Sequence, residues 1–221
     1  MTQRIACADG AHRGQAVATA LAAIRRGDLV LLPTESVYAV ATDAFSPRGV
    51  RALREAKGYD ERSPLPVMVG SGSTVSGIAA RISPDATALM NRFWPGSLTI
   101  LLSSQPTLAW DLPADSPLAV RMPLHPLTLA VLGATGPLVV TAANLPGLSA
   151  PTDVDDALDQ LGDSITLALD AGPLGEDQGL ASTIIDATVS PPRLVRPGAV
   201  SGEDLRDCCP HVILGDESTT P

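Results

Sequence analysis

The sequence predicts an α/β protein built on one twisted, mixed β-sheet flanked by helices. Three observations carry that expectation. Short apolar runs rich in leucine and β-branched residues alternate with segments of helical spacing along the chain. Helix-opening Ser-Pro pairs, with proline at the first helical position, stand between those runs at Ser46-Pro47 and Ser83-Pro84. In the C-terminal third the strand-like runs follow one another with few helices between, which argues for a mixed rather than a purely parallel sheet.

Residues 13–26 carry helical spacing. The run 28–32 reads as a buried strand closed by Pro33, and 37–40 as a second short strand. A helix opens at Ser46-Pro47. Val50, Leu53 and Ala56 share one face of it, Arg51 and Glu55 pair at i, i+4 on the other side, and Gly58 is a natural stop. Lys57 therefore falls in the last helical turn, directed toward whatever follows. Residues 65–69 form the next strand, and a helix runs from Ser83-Pro84 to about Trp94. A strand over 98–102 follows the Pro95-Gly96 turn, then a strand over 118–121, a helix over 126–132 and a strand over 138–141. Thr152 reads as the cap of a helix with Asp155 at the third position, running to Leu161 and ended by Gly162. Strands over 165–169, 182–186 and 194–196 close the pattern. One domain over residues 1–205 is expected, with a polar, loosely held tail over 206–221.

Composition narrows the function. Of 221 residues, 45% are apolar but only 3% aromatic, so the core must be built from Leu, Val, Ile and Ala. No stretch approaches the roughly eighteen apolar residues of a membrane span, and the N-terminus lacks a basic-then-apolar leader, so a cytoplasmic protein is expected. The net charge is −9 and the longest basic run is Arg25-Arg26, which opposes stable, broad nucleic-acid binding. Three cysteines, two of them neighbours at 208 and 209, do not make a disulfide framework, and His12, His125 and His211 lack metal-ligand spacing. Fourteen of the fifteen basic residues are arginine; the exception is Lys57. A lysine is a compact point charge and an arginine a planar fork, so the two meet small anions differently.

Small polar residues gather at strand ends, where open α/β sheets bind ligands. The stretches are Pro33-Thr34-Glu35-Ser36, Thr141-Ala142-Ala143-Asn144, Ala181-Ser182-Thr183 and Arg196-Pro197-Gly198, and Arg121 ends the strand before Met122-Pro123. With Lys57 they offer hydroxyls, an amide and two guanidinium forks, a set suited to phosphates and a carboxylate. Each stretch alone is also ordinary turn chemistry. Glu35 and Asp43 are a conceivable carboxylate pair, but spacing alone does not join them. No Walker loop, Rossmann glycine triplet or G-x-S-x-G elbow is present.

These residues carry a resemblance. Pro33-Thr34-Glu35-Ser36-Val37-Tyr38 resembles the P-T-[DE]-T-V-Y-G-L segment of the YrdC/Sua5/YciO family. The likeness continues through Ala56-Lys57-Gly58, Ser63-Pro64-Leu65, Trp94-Pro95-Gly96-Ser97-Leu98-Thr99 and Val120-Arg121-Met122-Pro123-Leu124-His125-Pro126. Ala143-Asn144-Leu145, Ser182-Thr183-Ile184-Ile185-Asp186 and Leu194-Val195-Arg196-Pro197-Gly198 complete it, with order and spacing kept from about residue 14 to 205.

The resemblance implies a YrdC-like fold and an L-threonylcarbamoyladenylate synthase of the short, single-domain form. Such an enzyme takes ATP with Mg²⁺, bicarbonate and L-threonine and releases pyrophosphate. The product goes to downstream tRNA-threonylcarbamoyl transfer proteins that act on adenosine 37 of certain tRNAs. Carried over by position, Lys57 is the catalytic phosphate contact. Tyr59, Arg62, Ser63, Thr141, Ala142, Asn144 and Arg196 fall on the ATP side, and Thr34, Ser36, Arg121 and Ser182 on the threonine side. No metal ligation by protein side chains alone is implied. The sequence departs from the family pattern at Tyr59, where K-x-R has arginine, at Ala142, where S-A-N has serine, and at Ser36 and Ala39. A divergent YciO-like paralogue and an RNA-binding module are the competing expectations.

Overall fold

The computed structural model describes residues 1–7, 12–113, 116–175 and 181–215. Among them ten strands join in one sheet: β1 (Gln3–Ala6), β2 (Val30–Pro33), β3 (Tyr38–Asp43), β4 (Val67–Met68), β5 (Leu98–Leu102), β6 (Leu118–Arg121), β7 (Leu138–Ala142), β8 (Leu167–Asp170), β9 (Thr183–Asp186) and β10 (Arg193–Arg196). Their spatial order is β1-β8-β2-β3-β7-β4-β6-β5-β9-β10. The pairs β1/β8, β8/β2, β4/β6 and β5/β9 are parallel and the rest antiparallel, so the sheet is mixed, as expected.

Helices cover both faces because the strands are apolar on both. In β2, Leu31 faces one core while Val30 and Leu32 face the other; in β3, Tyr38 and Val40 oppose Ala39 and Ala41. The smaller core is closed by α1 (Arg13–Arg25), through Ala16, Ala20, Ala23 and Ile24, and by α5 (Pro126–Thr135). The small alanines let α1 lie close to its neighbours. The larger core takes Val50 and Leu53 from α2 (Pro47–Lys57), Val75 and Ile78 from α3 (Gly72–Ile78), and Ala86 and Leu89 from α4 (Pro84–Phe93). Val154 and Leu161 of α6 (Val154–Leu161) and Leu205 of α7 (Gly202–Cys208) complete it.

The caps follow the sequence signals. Ser46 accepts from the Gly49 N–H at 3.2 Å and Ser83 from the Ala86 N–H at 3.1 Å. Gly58 ends α2 in the left-handed conformation, φ 62°, which suits a residue without Cβ.

Several expectations are corrected. The cap of α6 is Asp153, not Thr152: its carboxylate accepts from the Asp156 N–H at 2.8 Å, while the Thr152 carbonyl accepts from the Leu174 N–H. The strand β1 and the helix α3 were not foreseen. β1 is a mostly exposed edge strand held by pairing to β8, and α3 has the weak helix formers Gly-Ser-Thr-Val-Ser-Gly-Ile. The expected loose tail is in place through residue 215. Ser201 caps α7, Leu205, Cys209 and Val212 are buried, and Ile213 bridges Arg193. A few apolar residues in a polar segment dock it, which an average over the segment conceals. Residues 216–221, also assigned to the tail, lie outside the described residues.

Helix α2 rests on β3 through Gly49. A Cβ there would run into the Thr42 side chain and lie 3.2 Å from the Gly27 carbonyl oxygen. Alanine normally stabilises a helix interior by about 1 kcal/mol relative to glycine. Here Gly49→Ala should instead lower the melting temperature followed by circular dichroism, and adding Thr42→Ala should recover part of the loss. A Gly49→Ala protein melting above wild type would contradict this packing.

Candidate active site

The site begins at the turn between β2 and β3. The Thr34 hydroxyl donates to the Val37 carbonyl at 2.6 Å and accepts from the Val37 and Ser36 N–H groups at 3.3 and 3.4 Å. This locked turn holds Glu35 and Ser36 at the end of the sheet. The same end receives Thr99 from β5, Arg121 from the end of β6, Thr141 and Ala142 from β7, Ser182 just before β9 and Arg196 from β10. With Thr34 and Ser36 these residues line a cleft of about 380 Å³, whose remaining walls are apolar, among them Val37, Pro66, Met68 and Ala150. That is a volume suited to small-molecule ligands.

Two guanidinium groups dominate the cleft, and both are anchored. Arg121 is largely buried. Its Nε donates to the Gly96 carbonyl at 3.0 Å and one terminal nitrogen, Nη2, to Ser97 Oγ at 3.0 Å. The same Nη2 is ion-paired with Glu35 Oε1, to which Ser97 Oγ also donates, at 2.8 Å. The Leu124 N–H donates to the other Glu35 oxygen at 3.3 Å. Burial first, and the neighbouring Arg196 cation second, lower Arg121 to about 10, still charged at neutral pH. Arg196 donates through Nε and Nη2 to the Ser182 carbonyl at 3.2 and 2.7 Å, and through Nη2 to Ser182 Oγ at 3.1 Å. Ser182 Oγ also bonds Thr99 Oγ1 at 2.9 Å.

Lys57 lies elsewhere. It is 1% exposed and is not among the residues lining the cleft. Instead of facing a loop beyond its helix, Nζ donates to the Ala142 carbonyl at 2.7 Å, to the Asn144 carbonyl and to Asn144 Oδ1 at 3.3 Å. Asn144 turns its amide back on its own loop, to the Leu145 and Leu148 carbonyls at 3.1 and 2.7 Å. Lys57 and Asn144 thus stand behind the wall of which Ala142 is the face. The ring of Tyr59 lies 5.7 Å from Nζ. Burial lowers the Lys57 ammonium to about 8.

The structure therefore brings Thr34, Ser36, Arg121, Thr141, Ala142, Ser182 and Arg196 to one cleft, and places Lys57, Asn144 and Tyr59 behind it. Arg62 lines a separate surface cleft with Arg54, Glu61 and Asp111, and Ser63 closes a turn onto the Asp60 carbonyl. Asp43 is no partner of Glu35: its carboxylate accepts from the Phe45 N–H in a turn. Thr99, Ser97 and the role of Glu35 escaped sequence reasoning. All three stand inside quoted motifs, but only folding joins segments about sixty residues apart. Among the described residues no group of three or more His, Cys, Asp or Glu is arranged to hold a metal ion, and no helix is long and apolar enough to cross a membrane.

A mixed ten-stranded sheet with a cleft at one end, lined by two arginines and several hydroxyls, defines the α/β class of this protein. The family model of Sua5/YciO/YrdC proteins, described as telomere recombination, matches residues 22–198. The chain belongs to this family. It is 40% identical to a Mycobacterium tuberculosis protein provisionally named threonylcarbamoyl-AMP synthase, over 94% of this chain and 95% of that one. It is 34% identical to the Bacillus subtilis threonylcarbamoyl-AMP synthase, over 86% of this chain and 55% of the relative. Two solved structures of Pyrococcus abyssi Sua5 superpose over 96% of the chain. One, an H234A/Y235A variant, does so with a TM-score of 0.87 at 30% identity. The other, complexed with L-threonine, does so with a TM-score of 0.85 at 28% identity. The chain matches 62% of the length of that Sua5.

The Lys57 cage predicts a measurable pH dependence. The free side chain titrates near 10.5 and the folded one near 8. Between those values the unfolded chain holds a proton that the folded chain has released, so this group's contribution to stability rises with pH. Lys57→Met has no such proton, and it leaves the Ala142 and Asn144 carbonyls unpaired at a cost of about 1–3 kcal/mol. Urea unfolding should show the stability of wild type relative to Lys57→Met rising from pH 7 toward pH 10; a difference that does not change with pH would contradict the cage.

Proposed function

We propose that the protein is an L-threonylcarbamoyladenylate synthase. The amine of L-threonine and bicarbonate combine to a carbamate with loss of water. A carbamate oxygen then attacks the α-phosphorus of ATP, supplied as its Mg²⁺ complex, and the bond to the bridging oxygen of pyrophosphate breaks. The single observation that carries the reading is the pairing of two anchored guanidinium groups, Arg121 and Arg196, in one cleft lined by hydroxyls. Its support from relatives is the synthase name borne by full-length and partial matches and the L-threonine complex of Sua5. A YciO-like activity has less support, since the solved Escherichia coli YciO is only 23% identical and shares the fold alone.

In this reading Arg121 takes the threonine carboxylate. Its Nε and Nη2 are committed to the protein; its Nη1, without a partner among the described residues, is left for ligand. Thr34, Ser36 and Ser182 orient the rest of the amino acid. Arg196 and the Thr141–Ala142 wall serve the nucleotide, with Asn144 holding that wall and Tyr59 behind it beside Lys57, while Arg62 and Ser63 stand apart from it. Lys57 supplies positive charge to the transferring phosphoryl group. Its cage consists of neutral dipoles, so the charge is held in place without being cancelled. The product would pass to tRNA-threonylcarbamoyl transfer proteins. The net charge of −9 opposes stable, broad binding of RNA by this chain.

The test is pyrophosphate release from ATP, bicarbonate and L-threonine with Mg²⁺. Release should depend on threonine; its absence, with Bacillus subtilis synthase active in parallel, would end the proposal. Lys57→Ala should reduce turnover, because it removes the charge behind the wall and frees the Ala142 and Asn144 carbonyls that set the wall's position. Lys57→Arg should not restore it, because a planar fork does not fit a cage built for an ammonium. Wild-type turnover in Lys57→Ala would remove Lys57 from the reaction.

A further inference from the structure

We propose that Glu35 is a positioning residue that sets which anion the Arg121 end of the cleft accepts. The inference rests on the reading that this end takes an amino acid carboxylate. Glu35 itself does not line the cleft; its two oxygens are engaged by Arg121, Ser97 and the Leu124 N–H. It therefore acts through the arginine.

The guanidinium group has three nitrogens. Gly96 occupies Nε, and Ser97 with Glu35 occupies Nη2. Nη1 has no partner among the described residues, and Arg121 is one of the residues that line the cleft. The guanidinium edge formed by Nε and Nη2, which could grip an oxyanion with two parallel bonds, is thus closed to ligands. What remains is one nitrogen with two hydrogens, enough to fix a carboxylate end-on.

The second consequence concerns charge. Arg196 is close enough to Arg121 to disfavour the charged state of that guanidinium. Unpaired, they would form a doubly positive cleft, which a polyphosphate would occupy as readily as an amino acid. The Glu35 carboxylate offsets the charge of Arg121 and leaves Arg196 as the uncompensated cation. A nucleotide is thereby directed to one end of the cleft and a singly charged carboxylate to the other. Specificity comes from the repulsive element as much as from the attractive one.

The experiment compares Glu35→Gln with wild type by calorimetric titration of L-threonine, threoninol and inorganic phosphate without ATP, alongside the kinetic assay. Gln is nearly isosteric and removes the charge and one acceptor, since its amide nitrogen cannot accept from the Leu124 N–H as the second Glu35 oxygen does. L-threonine should bind wild type more tightly than threoninol. In Glu35→Gln the charge of Arg121 is no longer offset, so the preference of this end for L-threonine over inorganic phosphate should fall by about tenfold, the usual scale of a charge-assisted contact. Phosphate should become a competitor of threonine, and in its presence the KM for threonine should rise with kcat nearly unchanged. Glu35→Asp, which keeps the charge on a shorter arm, should weaken threonine yet remain insensitive to phosphate. Equal loss of threonine and threoninol, or no phosphate competition in Glu35→Gln, would overturn the proposal and leave Glu35 a fold residue. If wild type binds threonine as predicted but releases no pyrophosphate, the synthase reading fails and the role of Glu35 stands.

Discussion

A buried ammonium that has no carboxylate partner among the described residues fixes the wall of the cleft. Lys57 closes helix α2, and α2 is pinned to β3 by the close approach of Gly49 to Thr42. From that fixed point Nζ reaches the carbonyls of Ala142 and Asn144, where β7 ends and its loop begins. Helix, strand end and loop become one unit. The Asn144 amide then folds the loop on itself, and Gln160 of α6 accepts from the Leu145 N–H at 2.9 Å. The position of Ala142 in the cleft follows from this chain of bonds together with its pairing to Ala39 across β3 and β7.

The same logic recurs across the cleft. Arg121 and Arg196 are both held by main-chain carbonyls, those of Gly96 and Ser182. A carbonyl anchors a cation by its dipole and leaves the net charge intact, whereas a carboxylate removes it. The protein uses the two kinds of anchor differently. Lys57 and Arg196 receive dipoles alone, while Arg121 receives a dipole and a carboxylate. The field in the cleft is therefore uneven along its length, although the residues that create it are two arginines and a lysine of equal formal charge.

Much of this was legible in the sequence because it is written locally. The Ser-Pro caps, the Gly58 stop and the bounds of β5 and β6 depend on neighbours along the chain, and the structure keeps them. Seven of the twelve expected site residues meet in the cleft because they end strands, and strand ends gather at one edge of a sheet. What was not legible depends on partners distant in sequence. Glu35 meets Ser97 and Arg121, 62 residues on in the first case. Lys57 meets a carbonyl 85 residues away. Helix position gave Lys57 its place in the last turn but not its direction, since four rotatable bonds intervene. The docking of residues 206–215 rests on a few apolar contacts that a polar segment average hides.

Tyr59 gains a physical meaning from the cage. The family pattern has arginine there, and a guanidinium near a buried ammonium would add repulsion to a group already penalised by burial. The tyrosine ring places its electron-rich face 5.7 Å from Nζ and adds another dipole-like stabilisation. The substitution is thus compatible with a lysine withdrawn behind the wall, and less so with two cations exposed together to a triphosphate. Nor does the nearest alternative replace the lost charge. Arg62 faces Glu61 and Asp111 in its own cleft, beside Arg54, whose guanidinium is already paired with Asp111 at 3.3 Å. On the nucleotide side of the proposed site the fixed positive charge therefore reduces to Lys57 and Arg196. One acts through the wall and the other from the rim, and each is placed by main-chain carbonyls.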